Sequence, residues 1–126
     1  VFPPQGRGRS GKRLTAFLDW SLRWGASIRA FEARAKRTGI VARPMLSRPQ
    51  IKQADVPYYE AFSALNASRQ AGAAGNEAIP ISEVLAYLQL VGIASVEARV
   101  KYLRLIQKMD ATFRAYTAEN ANQRAS

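Results

Sequence analysis

Apolar residues recur at helical spacing along much of the chain, most regularly between Ile79 and Tyr116. Val84, Leu85, Leu88 and Val91 stand three or four residues apart, as one face of a helix requires. Ser82, following Pro80, is placed to accept from the free N–H groups of the first turn, and Glu83 meets the positive helix end. Gly92 comes directly after Val91, where a left-handed residue closes a helix without a Cβ clash, so this helix is expected to end at Val91. Ser95 offers a second cap. Beyond it Val96, Val100, Leu103, Ile106, Met109, Phe113 and Tyr116 form one stripe about six turns long. Arg99, Lys101, Arg104, Lys108, Asp110 and Arg114 mark the opposite, water-facing side, and the polar tail after Tyr116 is expected to fray.

Upstream, Asp55 followed by Pro57 reads as a helix start, with Tyr58 or Tyr59, Phe62 and Leu65 on one face of a helix running to about Gln70. The glycine-bearing segment 71–78 is a loop; it lacks the preceding strand and the Gly-Lys-Ser/Thr ending of a phosphate-cradling turn. Gly39, Pro44 and Pro49 exclude a long helix from residues 38–56, which read as a linker. Before it, Leu14, Phe17, Leu18, Trp24, Ile28 and Phe31 predict an amphipathic helix to about Lys36, with Trp20 and Trp24 one turn apart and Gly25 weakening its middle. Val1 to Lys12, rich in Pro, Gly and Arg, reads as a flexible arm. The pattern predicts an all-α protein: a small three-helix C-terminal bundle over residues 51–126, preceded over 1–50 by the arm, a basic helix and the linker.

Composition removes several chemistries. The 126 residues contain no Cys and no His, which excludes thiolate sites and the usual general base. No apolar run reaches the roughly 20 residues that span a bilayer. The nine carboxylates are scattered over caps and helix faces, with no tight acidic motif for a metal or for acid–base work, so neither a cofactor nor an enzyme is expected. Charge is unevenly placed. Residues 1–50 hold eleven Lys and Arg against Asp19 and Glu32, a balance of +9, leaving +1 of the total +10 for the remainder. Any attraction to nucleic acid therefore lies in the first 50 residues, with Arg7, Arg9, Lys12 and Arg13 as candidate phosphate contacts.

The segments PYYEAFSALNASRQAG, IPISEVLAYLQLVGI and YLRLIQKMDATFRAY together resemble the tail assembly chaperones of tailed phages. These are encoded between the tail tube and tape-measure genes, and the likeness is to the downstream, frameshift-type reading frame. It spans about residues 55–117 and rests on the aromatic helix ending in Arg69, the loop before Ile79–Pro80, the leucine-rich helix ending at Gly92–Ile93 and the final helix with Ile106, Met109, Asp110 and Phe113. The resemblance implies a non-enzymatic protein that covers hydrophobic parts of the tape-measure protein and recruits tail tube subunits, in the cytoplasm of the bacterial host or carried into the virion.

Read this way, Trp20, Trp24, Phe31, Tyr59, Phe62, Met109 and Phe113 are candidate partner contacts or a self-association surface, although core packing explains the same aromatic and Met pattern. The alternative is a phage structural or packaging protein that binds nucleic acid through its basic N-terminal segment.

Overall fold

The computed structural model describes residues 5–69 and 77–125, with side chains described over 9–69 and 77–124. Six α-helices follow in order: α1 (Gln5–Trp24), α2 (Ile28–Thr38), α3 (Arg43–Leu46), α4 (Val56–Ala67), α5 (Ile81–Leu90) and α6 (Val96–Ala125). There is no strand among the described residues, and the chain is all-α as its periodicity requires.

The core forms where α1, α4, α5 and α6 meet. Leu14 and Leu18 from α1, Ala61, Phe62 and Leu65 from α4, Val84 and Leu88 from α5, and Leu105, Ile106 and Met109 from α6 make one buried cluster, joined by Ile79 just before α5. The long helices α1 and α6 lie against each other. Gly11 lies on this seam, with the side chain of Lys108 from α6 across it. Tyr116 donates its hydroxyl to the Leu22 carbonyl at 3.0 Å, and Arg23 reaches Glu119 at 2.9 Å, tying the far end of α6 to α1.

Several expectations need correction. The arm predicted over residues 1–12 is helical from Gln5, residues 1–4 lying outside those described. The helix expected from Leu14 to Lys36 is broken at Gly25–Ser27 by a 3-10 turn, which separates α1 from α2. Helix α5 starts at Ile81, and the residue before it is Pro80 in extended conformation, so Ser82 stands inside the helix and caps nothing. The tail stays helical to Ala125 because Tyr116 and Glu119 find partners on α1.

Other signals are realised as read. Gly92 adopts φ +81°, and the Ile93 N–H returns to the Leu88 carbonyl at 2.9 Å, which closes α5. Ser95 accepts from the Ala98 N–H at 3.2 Å at the start of α6.

Candidate functional site

The α5–α6 hairpin turns at Gly92, so residues 81–88 of α5 run back along the first two turns of α6, residues 96–103. An apolar groove of about 170 Å³ lies between them. Val84 and Leu88, both almost wholly buried, form its floor with half-buried Leu103. Its rims are bare: Ile81 is 60 % exposed, Leu85 41 %, Val96 75 % and Val100 39 %. Arg99 lines one wall, its Nε held on the Ile93 carbonyl at 2.6 Å, so its stem adds apolar surface. The stripe predicted from Val96 to Tyr116 is thus covered only from Leu103 onward. Its first turns keep the helical period but meet water.

A second hollow, about 230 Å³, is lined by Pro57, Glu60, Tyr87, Val91, Ile93 and Tyr102. Burial pushes the Tyr102 hydroxyl above its ordinary range, and the neighbouring tyrosines and Glu60 act in the same direction, so it stays protonated.

Two buried carboxylates hold this architecture in place. Asp110, read from sequence as water-facing or paired with Arg114, is buried on α6. It binds Arg69, just beyond the end of α4, stands 3.3 Å from Arg114 Nε, and accepts the Ile79 N–H at 3.0 Å. Arg69 in turn donates to the Glu77 carbonyl at 2.8 Å and to Asn66 Oδ1 at 2.6 Å, and lies over the Phe113 ring. Burial and then the Arg114 charge lower its pKa, yet a guanidinium remains cationic at any physiological pH. Asp110 therefore fixes where the chain leaves α4 and where it enters α5, and with that the position of Ile81 on the groove rim.

Asp55, expected as a helix cap, makes no capping bond to α4. Its carboxylate takes a bidentate pair from Arg13, Nε to Oδ2 at 2.7 Å and Nη2 to Oδ1 at 3.0 Å, and accepts the Lys52 N–H at 3.1 Å. The Arg13 bonds hold the carboxyl below its usual range, outweighing the opposing effect of burial. A group depressed in this way stabilises the fold above its unfolded pKa and loses that contribution as pH falls through the folded value. Stability is accordingly expected to stay flat from neutral pH to about pH 5 and to fall below about pH 4. Thermal melts of the wild type and Asp55→Asn should converge on acidification; a gap that stays constant down to about pH 2 would refute the assignment.

The sequence-predicted contact residues are placed differently from one another. Trp20, Phe62 and Met109 are buried, Trp20 donating its indole N–H to the Pro44 carbonyl at 2.8 Å beneath Arg48. Tyr59 and Phe113 are half-buried against Phe17 and Phe62. Trp24, 38 % exposed, and half-buried Phe31 adjoin each other at the α1–α2 corner, with ring centroids 6.1 Å apart. Of the candidate phosphate contacts, Arg9 and Lys12 are exposed and Arg13 is engaged by Asp55; the Arg7 side chain lies outside those described.

Sequence reasoning missed the rim residues Ile81, Leu85, Val96 and Val100. The signal was there in a surplus: α5 carries apolar residues over more of its circumference than one neighbour can cover.

Among the described residues no group of three or more acids could hold a metal, and no helix is long and apolar enough to cross a membrane. What the fold presents is an all-helical protein with an apolar groove exposed between α5 and α6. A family model for phage tail assembly chaperones matches residues 35–115, from late α2 to within α6. The chain belongs to that family. No curated protein and no solved structure matches it.

Proposed function

We propose that this tail assembly chaperone seats an apolar helix of the tape-measure protein in the α5–α6 groove and, through residues 51–126, brings tail tube subunits to it. It acts by contact alone, without catalysis, in the cytoplasm of the bacterial host during phage assembly. The observation that carries the reading is the bare rim: four aliphatic side chains from Ile81, Leu85, Val96 and Val100 around an apolar floor, all within the family-matched stretch. A helix laid into such a groove is read through residues at i, i+3, i+4 and i+7, and covering the rim recovers the free energy that water exposure now withholds. Trp24 and Phe31 provide further apolar surface at the opposite end of the α1–α6 pair.

The test is binding of purified chaperone to helical fragments of the tape-measure protein from the same phage. Replacing Ile81 and Val96 together by Ser touches only exposed positions and should leave the melting curve nearly unchanged. It is expected to weaken binding by about 30-fold, from roughly 2 kcal/mol of lost apolar contact. Equal affinity of variant and wild type would remove the groove from the mechanism. A partner bound through apolar contact should also hold nearly as well in salt as without it.

A further inference from the structure

Helix α2 contains no buried residue, yet it is not featureless. Ile28, Phe31 and Ala35 are its half-buried positions and share one side, turned toward the body, where Phe31 meets Trp24. At 100° per residue the opposite arc carries Arg29, Arg34, Lys36 and Arg37, with exposed Ala30 and Ala33 between them. The single acid of the helix, Glu32, falls beside Ile28 at the edge of the apolar side. Among the described residues none of these four cations is ion-paired with a carboxylate. Arg29 and Arg34 also precede the stretch that the family model covers.

We propose that this outward face of α2 docks on the phosphate backbone of double-stranded nucleic acid, without reading sequence. The cations span about 12 Å along the helix axis, comparable with the width of the major groove, so phosphates of both strands lie within reach. The intervening alanines let the helix approach closely. No Asn or Gln on the helix offers a bidentate contact to adenine, and among the described residues no hydrogen bond to another side chain fixes any of the four cations in a base-reading geometry, so the contact is to phosphate and indifferent to sequence. A membrane surface is the poorer match, since a helix lying in lipid must present its apolar stripe outward, and here the stripe faces the protein. A second copy of the chain is disfavoured by its own net charge of +10. Of the candidates on the N-terminal segment Arg13 is engaged by Asp55, leaving exposed Arg9 and Lys12 on α1, whereas α2 gathers four unpaired cations on one face.

Anisotropy of a labelled duplex of about 20 base pairs, titrated with the full chain between roughly 50 and 200 mM salt, tests this. Four phosphate contacts predict a slope of log K against log salt near about −3.6, a weakening of about 100-fold over that range. Substituting Arg29, Arg34, Lys36 and Arg37 by Gln should flatten the slope to near zero, single substitutions lowering it by about 0.9 each. The charge-matched set Lys101→Gln, Arg104→Gln, Lys108→Gln and Arg124→Gln, also on exposed positions, should keep the slope. If both sets lose binding alike, the attraction belongs to overall charge and the proposal fails. It fails as well if polyglutamate or phosphatidylserine vesicles compete more strongly than unlabelled duplex at equal charge. The α2 set should still bind tape-measure fragments, so this result and the groove result are independent.

Discussion

Replacing Asp110 by Ala is expected to cost about 3 kcal/mol of folding stability, a large share of what a domain of this size has. Arg69 and Arg114 would keep their charges beside a hole, and the Ile79 N–H would lose its only described acceptor inside the core. Leaving one partner of a buried ion pair uncompensated is what makes such a change severe. Asp110→Asn separates the causes, since it retains an acceptor for Ile79 while removing the charge. If charge dominates, urea midpoints of the Asn and Ala variants should coincide; if the backbone contact dominates, Asn should fall near the wild type. A loss below about 1 kcal/mol for Ala would show that water reaches the site and that Asp110 does not organise the junction of α4 and α5.

Leu14→Ala should cost about 3 kcal/mol, the usual outcome of truncating a fully buried leucine in a core that cannot collapse around the gap. What is at issue is the standing of α1. Leu14 sits in an amphipathic helix that the sequence places outside the C-terminal bundle, yet it is completely buried and belongs to the same cluster as Phe62, Leu88 and Met109. A substitution tolerated within about 0.5 kcal/mol in denaturant unfolding would mean that α1 detaches freely in solution. The expected loss would instead show that the bundle of α4, α5 and α6 is incomplete without it.

The hairpin of α5 and α6 was legible because its signals are local. Gly92 ends one helix through its own backbone freedom, Ser95 begins the next through its own hydroxyl, and the stripe from Leu103 onward needs only a period. Long-range relations were not legible. Asp55 and Arg13 are 42 residues apart, Asp110 and Arg69 are 41 apart, and no spacing rule connects an acid to a cation at such separations. Periodicity likewise specifies which face of α6 is apolar without saying how far a neighbour covers it, so Val96 and Ile106 look equivalent until the ends of the other helices are known. In the first fifty residues the helical period marked Leu14 and Leu18 as part of one apolar face, but nothing local to that segment placed the face in the same core as Phe62 and Met109.

The brace between Arg23 and Glu119 spans 96 positions of sequence, and the Tyr116 to Leu22 bond spans 94. At about 5–20 residues per second, a ribosome needs roughly 5–20 s to carry synthesis from one side of that brace to the other. For most of that interval Leu14 and Leu18 have been made while Leu105, Ile106 and Met109 of the same core have not. The helix made last therefore completes a core whose first side chains are among the earliest residues of the chain.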